Sequence, residues 1–189
     1  MPRSPFTLAL LALVTFSLTA TAEAACSDVP APGVEWVRCQ HDGTNYRGID
    51  LRGAHLRDSS FKRSDFTGAQ LEGVDGRRIK LVTATLHDAV LDGANLVRAD
   101  LTKADLSGAS LIATDLRQAK LFRAVLRNAD LTSAKLDRAD LLHADLSGAL
   151  WIDGETRCAE GSISSCTPAP PEAVADDGTT ADATTPETN

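Results

Sequence analysis

ANLVRADLTKADLSGASL, residues 94–111, repeats itself every five residues. Leucine stands at 96, 101, 106 and 111, with alanine two positions before each. Stepping by five from Leu51 to Leu146 visits 20 positions, of which 17 are Leu, two are Phe (Phe61 and Phe66) and one is Gly76. Two residues before these centres, 14 of 20 positions are Ala; the exceptions are Ile49, Ser59, Ser64, Val74, Ile79 and Thr114. Asp or Asn commonly fills the place just before the centre, as at Asp50, Asp65, Asn95 and Asp115. No insertion or deletion breaks the phase.

Such a stride excludes the two common elements. On an α-helix five residues turn about 500°, so each Leu would sit roughly 140° from the last and no face would be apolar. On a flat strand an odd step sends successive Leu to opposite sides. A backbone that turns a corner every five residues meets the pattern. Each pentapeptide forms one side, the Leu and the preceding Ala point inward, and stacked coils pair their main-chain groups. Ala suits a narrow interior that larger residues would overfill.

The A-[D/N]-L-x-x pattern over residues 49–151 resembles the pentapeptide-repeat family. That resemblance implies an all-β fold, a right-handed quadrilateral β-helix with four pentapeptides per coil and about five coils. VDGRRI (74–79) departs from the pattern because Gly76 replaces the central Leu, with Val74 and Ile79 available to fill the gap and a bulge at Arg77 and Arg78 as the alternative. Trp36 and Tyr46 precede the array in its own phase and Trp151 follows it; these aromatics are expected to cap the ends.

Outside the array the chain divides by composition. Residues 1–25 read as a signal peptide, with Arg3, an apolar run from Phe6 to Leu18 and an A-x-A site at Ala22–Ala24. At about 13 residues the run is shorter than the roughly 20 a membrane span needs. Residues 26–48 are expected to be an N-terminal cap and 152–166 a C-terminal cap loop. Residues 167–189, with five acids, no base and much Pro, Thr and Ala, read as a disordered acidic tail.

The four cysteines, Cys26, Cys39, Cys158 and Cys166, flank the array in two pairs, and an even number in an exported chain reads as disulfides. With the coil count that the resemblance implies, the pairs stand roughly 24 Å apart. That distance excludes bridges across the array and leaves Cys26–Cys39 and Cys158–Cys166. Cleavage beside Cys26 makes its lipidation the alternative to a free periplasmic or secreted protein.

The array is nearly neutral, but its charges are sorted. With residues twenty apart stacked, one face carries Arg57, Arg77, Arg78, Arg98, Arg117 and Arg138. The next adds Lys62, Arg63, Lys80, Lys103, Lys120 and Arg123, whereas the face centred on Leu51 and Leu71 carries Asp50, Glu72, Asp92 and Asp130. Guanidinium groups repeated about every 4.8 Å suit an extended anionic partner, so the Arg face is the candidate anion-binding face. The alternative is a solvated surface, with Asp58, Asp75, Asp115 and Asp137 partly neutralising the stripe.

Catalytic patterns are lacking in the sequence. His55, His87 and His143 fall on three faces and read as surface residues; no Ser-His-Asp set, phosphate-binding loop or zinc spacing occurs. No catalytic residue, metal ligand or cofactor is expected. The expected function is an exported, non-enzymatic structural or binding scaffold of the cell envelope, with an unknown protein or an anionic envelope polymer as partner. Nucleic acid is not expected as a partner, nor a transmembrane segment in the mature chain. A homodimer joined end to end is the alternative to a monomer, though the Cys158–Cys166 loop should hinder it. Alternative functions are a lipid-anchored envelope protein, a β-helical polysaccharide-active enzyme, and a gyrase-protecting DNA mimic, which the near-neutral rod and the leader disfavour.

Overall fold

A computed structural model describes residues 24–170. The expected signal peptide lies, up to residue 23, outside the described residues, as does the acidic tail from residue 171 on. Among the described residues no helix is long and apolar enough to cross a membrane.

The chain winds as a β-helix whose sides are each one tight turn and one paired residue. Pairing is parallel and joins residues twenty apart: Lys80 to Asp100, Asp100 to Lys120, Lys120 to Asp140. Main-chain bonds run both ways along each side. The Leu101 N–H donates to the Lys120 carbonyl at 2.8 Å, and the Lys120 N–H donates back to the Ala99 carbonyl at 2.9 Å. At each corner the chain reverses within four residues, as where the Ala54 N–H donates to the Leu51 carbonyl at 3.0 Å. The third residue of the corner has positive φ, as at Gly53 (65°), the pattern of a type II turn. Glycine is favoured there, yet Arg78, Thr83, Arg98 and Ala113 adopt the same conformation at 56–60°. The ladder holds them against their own preference.

The interior is what the stride of five requires. The Leu and Ala columns are buried from Leu51 to Leu131, most of them at 0–1% exposure. Where Ala gives way to a hydroxyl residue, the hydroxyl is satisfied by main chain from the coil below. Thr114 Oγ1 donates to the Leu91 carbonyl at 2.8 Å, Ser64 Oγ to the His41 carbonyl at 2.8 Å, and Ser59 Oγ to the Trp36 carbonyl. A buried hydroxyl without such a partner would cost a few kcal/mol.

The structure departs from the sequence reading at one place and decides between its alternatives at another. The coil register begins before residue 49: Glu35 already pairs with His55, and Trp36, His41 and Tyr46 occupy successive central positions. Residues 34–48, set apart as a cap by their lack of Leu, belong to the same winding. Trp36 (1% exposed) and Tyr46 (6%) fill the interior there. His41 stacks on Phe61 at 5.2 Å and meets the Tyr46 hydroxyl at 3.0 Å through Nδ1; its burial lowers the imidazole pKa. Second, the VDGRRI segment contains no bulge. The Asp75–Asn95 pairing is kept, and the Gly76 N–H donates to the Asn95 carbonyl at 2.9 Å. Leu96 fills the space: a Cβ at Gly76 would lie 2.8 Å from Leu96 Cδ2 and 3.4 Å from Ile79 Cγ2.

Both cysteine pairs are disulfides. Cys26–Cys39 spans 5.4 Å between Cα atoms and Cys158–Cys166 spans 5.0 Å. The first ties the 3₁₀ turn Ala24–Ser27 to the first coil. The second closes a loop that folds back antiparallel over the last coil, with Ile163 paired to Asp145, Arg157 to Leu150 and Pro168 to Cys158. Trp151 is only partly buried beneath it.

Candidate anion-binding faces

Side chains at the two turn residues of each side point outward, so a column of them runs along each face. Arg77, Arg78, Arg98 and Arg117 line one shallow, open depression with Val97 and Gln118. Arg57 and Arg138 belong to the same columns but lie outside it. The stripe expected from the sequence is thus brought together over its middle.

Most of its charge is already matched. Arg77 binds the Asp75 carboxylate through Nε and Nη2, both at 2.9 Å, and Arg57 Nε approaches that carboxylate at 3.4 Å. Arg78 grips Asp58 at 2.6 Å on both oxygens, and Arg117 grips Asp115 at 2.7–2.9 Å. Burial alone would raise the Asp75 carboxyl, but hydrogen bonds and charge from Arg77 bring it below its usual value. The Asp58 and Asp115 carboxyls are lowered chiefly by hydrogen bonds from Arg78 and Arg117. In turn those carboxylates raise the Arg77, Arg78 and Arg117 guanidinium groups. Arg98 donates through Nε to Gln118 Oε1 at 2.8 Å; neither it nor Arg138 forms an ion pair among the described residues.

The adjacent face is different. Lys62, Arg63, Lys80, Lys103, Lys120 and Arg123 form no ion pair with any described residue. Arg123 lies over the Phe122 ring at 5.2 Å from its centroid, and His143 meets the same ring edge-on at 5.7 Å. Sequence reasoning ranked this face second, although it holds the less neutralised cations. The signal was present in the spacing. Asp just before a centre and Arg just after it stand two residues apart across a turn, as in Asp50–Arg52, Asp75–Arg77 and Asp115–Arg117, and each such pair closes on itself. Ser or Thr in place of the Arg closes equally, as where Thr102 Oγ1 donates to Asp100 at 2.6 Å.

The other two faces are acidic. Asp50, Glu72, Asp92 and Asp130 mark one, and Asp65, Asp105 and Asp145 the other. Basic faces adjoin one another and acidic faces adjoin one another, so the rod has a positive and a negative half. Among the described residues no group of His, Cys, Asp or Glu is arranged to hold a metal ion. His55, His87 and His143 are spread over separate sides.

A solenoid of stacked five-residue sides with an Ala-Leu interior defines a class of repeat scaffold. The family model for pentapeptide repeats matches residues 43–75, 80–118 and 114–150 in eight copies, and the chain belongs to this family. The solenoid is accordingly a right-handed β-helix. Two cyanobacterial proteins of known structure are similar to it. HetL of Nostoc sp. strain PCC 7120, a pentapeptide repeat protein involved in heterocyst differentiation regulation, is 32% identical over 65% of this chain and 62% of its own, with a TM-score of 0.41. The chain thus spans less than two thirds of HetL. Rfr23 of Cyanothece 51142 is 25% identical over 62% of this chain and 90% of its own, with a TM-score of 0.51. Among curated proteins none matches the chain.

Proposed function

We propose that this protein is an exported, non-enzymatic scaffold that binds an extended anionic polymer of the cell envelope along the positive half of its rod. The observation that carries the reading is the group of cations at Lys62, Arg63, Lys80, Lys103, Lys120 and Arg123, none in an ion pair with a described residue although Asp100 and Asp140 stack against Lys80 and Lys120, beside the partly neutralised arginine stripe. These cations span residues 62–123, about three coils, or roughly 15 Å along the rod. A linear polymer with regularly spaced carboxylates could meet several of them at once. Each exposed pair contributes little by itself, so affinity must come from the number of pairs and must fall with salt.

Export rests on two disulfides, which persist in oxidising compartments, together with the leader-like residues 1–25. The non-enzymatic reading rests on family membership and on an interior filled by Leu and Ala. The test is binding of the purified mature chain to immobilised polygalacturonate at low and at high ionic strength. Retention at low salt that is lost at high salt supports the proposal; no retention at low salt contradicts it. Mass spectrometry of the mature N-terminus decides between a Cys26 in disulfide linkage and a lipidated one.

A further inference from the structure

One side of the rod carries an apolar column within the positive half. The sides centred on Leu81, Leu101, Leu121 and Leu141 place Val82, Thr102, Phe122 and Leu142 one above another at the first turn position, a coil apart. Phe122 and Leu142 are the one pair of large apolar turn residues, among those described, that stand on adjacent coils. Val82, Thr102 and Phe122 are partly exposed, and Leu142 is 52% exposed. The column's one hydroxyl already has its acceptor, since Thr102 Oγ1 donates to Asp100 at 2.6 Å.

Beside it runs a cationic column. The second turn position of the same sides holds Lys103, Arg123 and His143, with Arg63 and Thr83 below them. Arg123 is held differently from the arginines of the neighbouring face. Arg77, Arg78 and Arg117 direct their N–H groups at Asp75, Asp58 and Asp115. Arg123 instead lies with Cζ over the Phe122 ring, 5.2 Å from its centroid, and its guanidinium donates to no described residue. A ring orients the planar fork without engaging its donors. His143 meets the same ring edge-on at 5.7 Å, and its main-chain N–H donates to the Ser164 hydroxyl at 2.8 Å. A positioned guanidinium with free donors suits one carboxylate, gripped by two parallel bonds. The exposed part of the ring, continued by Leu142, suits a flat apolar surface next to that carboxylate.

We propose that Phe122, Arg123, Leu142 and His143 form a subsite for one hexuronate ring of an acidic polysaccharide, with the carboxylate on Arg123 and the C–H face of the sugar against Phe122 and Leu142. The inference rests on the reading of the positive half as a polymer-binding surface, and it names the chemical class of the polymer. A uronate ring carries both parts of the complement, a carboxylate and an apolar C–H face. Inorganic polyphosphate carries charge alone. An anionic lipid surface takes apolar side chains that reach past their charged neighbours into the acyl boundary. Phe122 is partly buried and Arg123 lies over it, so the patch is flat rather than protruding. Lys103, one coil below Arg123, continues the cation row by about 4.8 Å toward the next sugar.

The test measures binding of the purified mature chain, at one low salt concentration, to polygalacturonate, to inorganic polyphosphate and to phosphatidylglycerol vesicles. The Phe122→Ser, Leu142→Ser double variant keeps every cation and alters outward turn positions only, so it should remain folded by circular dichroism. It is expected to bind polygalacturonate about tenfold more weakly than the unaltered chain, and polyphosphate within about twofold of it. Arg123→Lys probes the subsite without touching the apolar column. It keeps the charge and removes the fork, so it should weaken polygalacturonate binding a few-fold and leave polyphosphate binding unchanged. Equal losses on the two polymers, or no loss on polygalacturonate, overturn the subsite and leave the polymer-binding reading in place. Vesicle binding that the double variant abolishes while polygalacturonate binding persists assigns the patch to a lipid surface and overturns the subsite too. An unaltered chain that polygalacturonate does not retain contradicts the proposed function itself, and the subsite with it.

Discussion

The Asp75 carboxylate closes on the Arg77 guanidinium two residues further along the same turn, with Arg77 Nε 2.9 Å from Asp75 Oδ1. Arg57, one coil below, approaches the same carboxylate at 3.4 Å. Two of the six arginines of the stripe thus share one anion, and Asp58 and Asp115 occupy two more. An arginine count overstates the charge that this face can offer. The lysine-rich face beside it has fewer guanidinium groups, and none of its six cations is held in an ion pair by a described residue.

These pairs make the rod sensitive to acid. The folded-state carboxyl pKa is depressed for Asp58, Asp65, Asp75 and Asp115, in each case with an Arg contribution. A depressed carboxyl stabilises the fold above its unfolded value of about 3.9 and loses that contribution as pH falls through the folded value. Thermal midpoints should therefore drift down as pH falls below about 6.5, where buried His41 resists the proton that the unfolded chain accepts, and fall further below about pH 4 as the carboxylates are protonated. Asp75→Asn and Asp115→Asn should weaken the acid dependence and, at pH 7, strengthen retention on a polyanion by freeing Arg77 and Arg117. Melting curves against pH and salt elution profiles measure the two effects.

Thr83 sits at φ 56° at a corner position that other sides of the rod, such as those of Gly73 and Gly93, fill with glycine. A β-branched residue is strained in that region, and its exposed side chain makes only a hydrogen bond from Oγ1 to the Val82 carbonyl at 2.7 Å. Thr83→Gly is expected to stabilise the rod by about 0.5–1 kcal/mol, after the extra freedom glycine gains in the unfolded chain is set against the relief of strain. Gly93→Thr, the reverse change at a corner of φ 65°, should destabilise by a similar amount. Denaturant unfolding of both variants checks the sign.

Gly76 is the one central position without a large side chain between Leu51 and Leu146. A repeat consensus recommends Leu there, but Leu96 already reaches to 2.8 Å from where a Cβ would stand. Gly76→Leu should destabilise by roughly 1–3 kcal/mol through overpacking. Combining it with Leu96→Ala should recover part of the loss, because the two sites compete for one space. A double-mutant cycle in denaturant measures that coupling.

The sequence made most of the fold legible because one physical requirement repeats: leucines at a stride of five share an interior only if the backbone turns at every side. It was least informative where residue identity changes while geometry persists. Trp36, His41 and Tyr46 continue the register without a single Leu, so the array's start was placed too late. At VDGRRI the missing Leu left a filled gap and a bulge as alternatives; the gap is filled, with Leu96 one coil on supplying volume the sequence did not point to. The disulfide pairs followed from the length of the array, given the coil count that the resemblance implied. For the candidate site, the columns and their partial neutralisation by Asp58, Asp75 and Asp115 were legible once residues twenty apart were stacked; which arginine each carboxylate holds, as Asp58 holds Arg78, was not. Asp75 and Arg77 needed no such stacking; the turn between them was enough.

The most direct test compares two charge reversals for binding to the same acidic polysaccharide at low salt. Lys103→Glu with Lys120→Glu alters cations of the lysine-rich face that no ion pair holds, and Arg78→Glu with Arg117→Glu alters arginines already held by Asp58 and Asp115. The first pair is expected to weaken binding by more than about tenfold and flatten its salt dependence, and the second by only a few-fold. Equal losses from the two, or none from the first, would contradict the assignment of the positive half as a binding surface led by its unpaired lysines.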